Sequence, residues 1–114
     1  MKCAIVGMGV IGSVHFDVLK TVKDAQLVAL CDTDLSRLEP FSGVNKYDDY
    51  DKMLEQEQLD VVHICTPHYL HFEMAKASLE SGKDIVLEKP VTIEREDFKK
   101  LEDMDVRVYN AFQL

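Results

Sequence analysis

The chain has 114 residues, 46% of them hydrophobic and 30% charged, as expected for one globular domain with a hydrophobic core. Its formal net charge of −8 argues against nucleic acid and anionic membranes as partners, although backbone amides can still bind a phosphate locally. No apolar run is long enough for a transmembrane helix or a signal peptide, and three cysteines without close spacing form no disulfide framework. These features predict a cytoplasmic protein with reduced thiols.

Apolar runs and segments of helical spacing alternate along the chain. Strands are predicted at about residues 2–6, 27–31, 44–47, 61–65, 85–87 and 106–109. Helices are predicted after the first strand, at about 35–39, 50–56 and 70–81, and after Thr92. This order predicts an α/β fold of three layers with a right-handed, doubly wound and mostly parallel sheet. The first helix is expected to pack on the sheet through Ile11, Val14, Val18, Leu19 and Val22.

The segment Gly7-Met8-Gly9-Val10-Ile11-Gly12 joins the first strand to the first helix. In a dinucleotide fingerprint, the first glycine allows a tight turn, the second lets the backbone approach a pyrophosphate, and the third lets the helix pack on the sheet. The start of the helix then offers unpaired N–H groups and its positive dipole end to the phosphates. Asp32 lies 20 positions after Gly12, at the end of the second strand, where the fingerprint requires an acidic residue.

A carboxylate at Asp32 can accept hydrogen bonds from both hydroxyls of the adenosine ribose and would repel a 2′-phosphate. NAD is therefore favoured over NADP, although Arg37, five residues further on, would weaken this preference. Asp34 lies between these two residues. The structural alternative for Asp32 is a helix cap or turn residue.

A second polar cluster, Thr66-Pro67-His68-Tyr69-Leu70-His71, follows the fourth strand. The carboxyl ends of parallel strands meet at one edge of the sheet, so Thr66 and His68 are expected along the dinucleotide. His68 and His71 are three residues apart and could share a helical face, but a metal site would need a third ligand. None is evident in the sequence, so no metal is predicted.

Glu88-Lys89-Pro90 follows the fifth strand and places a lysine beside the expected nicotinamide end of the site. Such a lysine can donate a hydrogen bond to a substrate hydroxyl or carbonyl oxygen and, if partly desolvated, can help to move a proton. A surface lysine before a turn proline is the alternative, and this motif alone would not exclude it.

Taken together, the glycine segment, Asp32, Thr66-Pro67-His68 with His71, and Glu88-Lys89-Pro90 resemble the N-terminal cofactor domain of the Gfo/Idh/MocA oxidoreductases. This is the family of glucose–fructose oxidoreductase and inositol dehydrogenase, and the resemblance covers essentially the whole chain. It implies a Rossmann fold, NAD(P) as cofactor, and a sugar, inositol or polyol as substrate, with Lys89 as the catalytic lysine. The cofactor-site positions that it implies are Gly7, Met8, Gly9, Val10, Ile11, Gly12, Asp32, Thr66, Pro67, His68, His71, Glu88 and Lys89.

The chain departs from the family in its length, because family members are about three times longer and carry a second domain that supplies most of the substrate pocket. Residues 1–114 are therefore expected to form the dinucleotide-binding domain alone, which binds cofactor but turns over little or no substrate. The surface that normally meets the second domain would be exposed and would allow self-association into a homo-oligomer.

Two other functions remain open at this point. The first is a regulatory module that binds NAD without chemistry, which the presence of Lys89 disfavours. The second is a methyltransferase of similar topology, which the G-x-G-x-x-G spacing and Glu88-Lys89-Pro90 disfavour.

Overall fold

The computed structural model of the chain describes residues 1–66, 70–87 and 108–110. Its strands are β1 (Lys2–Val6), β2 (Gln26–Cys31), β3 (Asn45–Tyr47), β4 (Val61–Ile64), β5 (Asp84–Leu87) and β6 (Val108–Asn110). They form one sheet in the order β3-β2-β1-β4-β5-β6, and every pair of neighbours is parallel. This is the strand order of the doubly wound dinucleotide-binding fold, so the predicted fold class is confirmed.

Three helices and one short 3₁₀ turn connect the described strands. They are α1 (Val10–Thr21), α2 (Tyr50–Gln56), α3 (His71–Glu80) and the 3₁₀ turn Leu35–Leu38. The start of α2 is fixed by Asp49, whose side chain accepts a hydrogen bond from the Lys52 amide. Gly82, with a φ of 78°, follows the end of α3 and allows the chain to turn into β5. The helix predicted after Thr92 lies outside the described residues.

The sheet has a hydrophobic core on each face, and β1 contributes to both. Ala4 and Val6 belong to the core that contains residues of α2 and α3, whereas Cys3 and Ile5 belong to the core beneath α1. All four are almost fully buried, as expected for a central parallel strand covered on both sides. The described part of the chain contains no helix that is both long and apolar enough to span a membrane.

The packing face predicted for α1 is largely wrong. Its buried residues are Gly12, His15, Phe16 and Leu19, so only Leu19 was predicted correctly. The other four predicted residues are each between 41% and 46% exposed; they are Ile11, Val14, Val18 and Val22. The orientation follows from Gly12, because a side chain there would overlap the carbonyl oxygen of Gly7. Residues three, four and seven positions after Gly12 share its face and therefore meet the sheet.

Two histidines join α1 to β4. The Nδ1 atoms of His15 and His63 are 2.9 Å apart, and the rings meet edge to face with their centroids 5.1 Å apart. Burial, with a smaller contribution from the neighbouring His15, lowers the pKa of His63 from 6.5 to about 4. His63 is therefore neutral at physiological pH and can form this contact without a buried charge.

Candidate functional site

A cleft of about 470 Å³ lies at the carboxyl ends of β1, β2 and β4. This is the point at which the strand order reverses, and ligands of doubly wound sheets bind there. The residues that line it come from the ends of β1 and β2, from the turns after β1 to β4 and from the helices that follow them: Val6, Gly7, Gly9, Val10, Ile11, Cys31, Asp32, Thr33, Arg37, Asp48, Tyr50, Cys65, Thr66, Leu70 and Met74. A larger groove of about 750 Å³ runs beside α1 and is lined by Leu19, Val22, Val61 and Val86. It reaches the amino ends of the strands, away from this site.

The fold itself requires glycine at two positions of the turn between β1 and α1. Gly7 has a φ of 91°, and a Cβ atom there would lie 2.8 Å from the carbonyl carbon and oxygen of Cys65. At Gly12 a Cβ would overlap the Gly7 carbonyl oxygen and lie 3.2 Å from the sulfur of Met8. Larger residues at either position would displace backbone, so both glycines are explained by packing alone.

Gly9 is different, because nothing in the described fold requires glycine there. Its φ is −82°, and a Cβ atom would have one neighbour within 4 Å among the described residues, Arg37 Nη1 at 3.9 Å. A side chain at Gly9 would therefore occupy open space at the lining of the cleft. A missing side chain that leaves the cleft open is what close approach of a pyrophosphate to the backbone requires.

The start of α1 has no side-chain cap. Gly9 is the N-cap residue, and the first turn carries no acidic side chain that would neutralise the helix dipole. The carbonyl oxygen of Gly9 accepts hydrogen bonds from both the amide and the hydroxyl of Ser13, at 3.0 and 2.9 Å. The first-turn amides of this 12-residue helix thus lack a carboxylate or hydroxyl partner from the cap position, which suits an anionic ligand.

Asp32 is 7% exposed and holds two backbone segments together. Its Oδ2 atom accepts a hydrogen bond from the Met8 amide at 2.9 Å, and its Oδ1 atom accepts one from the Asp34 amide at 2.8 Å. The guanidinium of Arg37, 57% exposed, lies 3.8 Å from Oδ2. An ionised carboxylate has about four lone-pair sites, so two acceptor sites remain for the ribose hydroxyls of a ligand.

Negative charge predominates at this end of the cleft. Asp32 and Asp48 line it, and Asp34 lies 3.8 Å from Arg37 Nε. Hydrogen bonds from the Ser36 hydroxyl and amide hold the pKa of Asp34 below its usual range, so this carboxyl is charged at neutral pH. A 2′-phosphate would meet these carboxylates with Arg37 as the single cationic side chain among the described lining residues.

The opposite wall of the cleft is formed by the end of β4 and the side of α3. The Cys65 amide donates to the carbonyl oxygen of Val6 at 2.8 Å, which sets the strand end beside the glycine turn. The hydroxyl of Thr66 donates to the sulfur of Met74 at 3.3 Å, and both residues are half-buried. Tyr50 donates to the Met74 carbonyl oxygen at 2.9 Å and so links α2 to α3 at this wall.

The structure brings together six of the predicted site residues as lining of the cleft: Gly7, Gly9, Val10, Ile11, Asp32 and Thr66. Met8 and Gly12 lie behind the lining, since Met8 is buried in the core beneath α1. His71 is the first residue of α3. Four predicted residues lie outside the described part of the chain: Pro67, His68, Glu88 and Lys89. Within the described ranges, no group of three or more metal-ligating side chains occurs.

Sequence reasoning missed the contribution of Asp48, Tyr50 and Met74 to the cleft. Asp48 directly follows β3, and Tyr50 begins α2 two residues later. The rule that led to Asp32 and Thr66, that ligands lie at the carboxyl ends of parallel strands, applies equally to β3. The signal is weaker here, because β3 has only three residues, Asn45–Tyr47, and its sequence is less apolar than that of β2 or β4.

Comparison with known proteins agrees with this geometry. A family model described as "Oxidoreductase family, NAD-binding Rossmann fold" (GFO_IDH_MocA) matches residues 1–112. The chain belongs to the Gfo/Idh/MocA oxidoreductase family. It is therefore an NAD-binding domain of this family, and the resemblance noted in the sequence is confirmed. The match supports neither the methyltransferase nor the regulatory alternative.

Individual relatives carry dehydrogenase names. The chain is 33% identical over 108 residues to D-glucoside 3-dehydrogenase of Escherichia coli, covering 90% of this chain and 31% of the relative. It is 36% identical over 104 residues to scyllo-inositol 2-dehydrogenase (NAD(+)) of Bacillus subtilis, covering 87% and 30% respectively. The structure of an NAD-binding protein from Listeria innocua superposes with a TM-score of 0.87 at 30% identity, covering 96% of this chain and 34% of that protein. The chain thus spans about a third of the length of the proteins that it matches.

Proposed function

We propose that this chain is the cofactor-binding part of a dehydrogenase that transfers a hydride between NAD and a CH–OH group of a sugar, inositol or polyol. The observation that carries the proposal is the cleft at the switch point, where an uncapped helix start, an unobstructed Gly9 and the buried Asp32 carboxylate converge. The substrate class rests on the glucoside and inositol dehydrogenases among the relatives.

The described residues fit a dinucleotide. The start of α1 would bind the pyrophosphate over Gly9, since its first amides have no side-chain cap. Asp32 would accept hydrogen bonds from the adenosine ribose through the lone pairs that its backbone partners leave unused. The carboxylates around Arg37 would disfavour a 2′-phosphate, which makes NAD the preferred cofactor over NADP.

The bound NAD supplies the hydride chemistry, and the protein has to hold the reacting carbon atoms within reach and set the local charges. We propose that Lys89 donates a hydrogen bond to the substrate oxygen and helps to move its proton. The support is positional, because Lys89 follows the end of β5 by two residues and β5 is the neighbour of β4 in the sheet. Thr66, Pro67, His68, His71 and Glu88 are proposed as further cofactor contacts.

Substrate selection is proposed to depend on residues beyond this dinucleotide-binding domain, because the chain spans about a third of its dehydrogenase relatives. The described cleft is accordingly assigned to the cofactor. Low turnover is expected from residues 1–114 alone, with polyols and sugars as the substrates to assay.

Calorimetric titration of the purified chain with NAD and, separately, with NADP tests the proposal. We expect micromolar to millimolar binding of NAD, weaker binding of NADP, and little change of NAD affinity in Lys89→Ala, because the main contact proposed for that lysine is with the substrate oxygen. Tighter binding of NADP would contradict the role given to Asp32. Absence of binding by either dinucleotide, or preferential binding of S-adenosylmethionine, would contradict the proposed function.

A further inference from the structure

The Asp32 carboxylate accepts two hydrogen bonds from backbone amides of the protein itself. Its Oδ2 atom accepts from the amide of Met8, 24 residues earlier in the chain, in a buried hydrogen bond of 2.9 Å. The preceding amide, that of Gly7, donates to the carbonyl oxygen of Cys31 at 2.8 Å. Two consecutive amides at the beginning of the glycine turn are therefore fixed to the end of β2, one of them through a side chain.

This arrangement decides what the Met8 amide can do. The N–H group of Met8 already donates to Asp32, so this N–H group is unavailable to a phosphate of the ligand. The Met8 side chain points into the core beneath α1, with its sulfur 3.2 Å from the position of a Cβ on Gly12. Met8 is thus fixed through its amide by Asp32 and through its side chain by the core. The residue that follows it, Gly9, lines the cleft.

We propose that Asp32 is a positioning residue for the phosphate-binding turn, in addition to any contact with the ribose of the cofactor. This rests on the proposed function in so far as the cleft binds a dinucleotide. A hydrogen bond from an amide to a buried carboxylate is stronger than one to a neutral acceptor. Its loss leaves the Met8 amide buried and unsatisfied, so the turn would move to find another acceptor.

The two roles of Asp32 predict different results for a ligand that has no adenosine ribose. Inorganic pyrophosphate is such a ligand, and its affinity can be measured for Asp32→Ala and for the control Asp34→Ala. Each variant removes one negative charge from this end of the cleft, which by itself would strengthen binding of an anion. A purely ribose-binding Asp32 therefore predicts equal or tighter pyrophosphate binding in both variants.

If Asp32 positions the turn, Asp32→Ala binds pyrophosphate about tenfold or more weakly than the unchanged chain, because the Met8 amide loses its side-chain acceptor. Asp34→Ala removes a carboxylate that bonds to Ser36 and not to the turn, so this variant should bind pyrophosphate as tightly as the unchanged chain or more tightly. Pyrophosphate affinity in Asp32→Ala that equals or exceeds that of the unchanged chain overturns the proposal.

Amide hydrogen exchange tests the same contact without a ligand. In the unchanged chain, the Met8 amide should exchange at least about tenfold more slowly than the amides of Val10 and Ile11 at the uncapped start of α1. Its protection should fall in Asp32→Ala, which has no side-chain acceptor, and persist in Asp34→Ala. Equal exchange of the three amides in the unchanged chain overturns the positioning role, even if Asp32→Ala does not fold. If the unchanged chain binds neither pyrophosphate nor NAD, the proposed function is contradicted. The hydrogen-exchange result then decides whether Asp32 positions the turn.

Discussion

At the scale of single residues, the turn between β1 and α1 contains two glycines whose missing side chains have different consequences. Gly12 faces the backbone of Gly7, and Gly9 faces the cleft. The same chemical change, one added methyl group, should therefore affect folding at one position and ligand binding at the other.

We expect Gly12→Ala to lower the free energy of unfolding by about 2 kcal/mol or more, because the added Cβ overlaps the Gly7 carbonyl oxygen and the backbone must shift. Gly9→Ala should change this free energy by less than about 1 kcal/mol, since its Cβ meets only Arg37 among the described residues. Urea unfolding measures both values.

For NAD affinity, the substitution at Gly9 should have the larger direct effect. Gly9→Ala is expected to weaken NAD binding about tenfold or more, because the methyl group occupies space that the pyrophosphate needs. Unchanged NAD affinity in a folded Gly9→Ala variant would show that the ligand does not approach the backbone at this point.

At the scale of elements, the His15–His63 contact connects α1 to β4 and makes this connection sensitive to acid. The pKa of His63 is about 4 in the folded chain, below the usual value of 6.5, so the unfolded chain binds a proton between these values that the folded chain excludes. The contribution of neutral His63 to the free energy of unfolding is therefore present in full above about pH 6.5 and is lost as the pH falls towards 4. Converted at 1.36 kcal/mol per pH unit, the loss is at most about 3 kcal/mol.

Urea unfolding at several pH values between 7 and 4 measures this loss, and His63→Gln isolates it from the titration of the carboxylates. Glutamine can still bond to His15 but carries no titrating proton, so the fall in stability should be smaller in the variant by up to the same amount. Identical pH profiles for the two chains would mean that His63 is not the group responsible.

The orientation of α1 shows what sequence patterns alone could and could not predict. Two stripes satisfy helical spacing in this segment, one through Ile11, Val14 and Val18, and the other through Gly12, Phe16 and Leu19. Hydrophobicity favours the first, but the close approach of Gly12 to Gly7 selects the second. Steric contact between backbone segments decided the outcome, and hydrophobic patterning does not record such contacts.

The candidate site was predictable to a similar degree. Asp32 and Thr66 could be located because each follows a clearly apolar strand, and the ends of parallel strands meet at one edge. The bond from the Met8 amide to Asp32 could not be foreseen, since it depends on the precise path of the turn through space.

At the scale of the whole molecule, four valines form an exposed ridge along α1 and its C-cap residue. Val10, Val14, Val18 and Val22 are spaced four residues apart and are 82%, 41%, 46% and 43% exposed. Residues at this spacing form one of the ridges through which helices pack against each other. Within the described ranges the ridge remains solvent-exposed, which is typical of an interaction surface.

We expect the purified chain to self-associate through this valine ridge, with a sedimentation coefficient that rises with protein concentration. Val14→Glu combined with Val18→Lys should keep the chain monomeric without loss of stability, because the pair has favourable i,i+4 spacing on an exposed helix face. Glu55→Lys, an exposed change on α2, serves as the control. Sedimentation that is the same for the double variant and the unchanged chain would assign any association to another surface.

The position of β1 in the centre of the sheet also bears on how the chain acquires its fold. Cys3 on β1 pairs with Leu27 on β2 and with Val61 on β4, so its second neighbour is synthesised 58 residues later. Contacts of such sequence separation slow folding, because a long loop must close before the pairing is gained. During translation, the edge of β1 that pairs with β4 would keep unpaired backbone N–H and C=O groups until β4 leaves the ribosome. This edge would be accessible to chaperones in that interval.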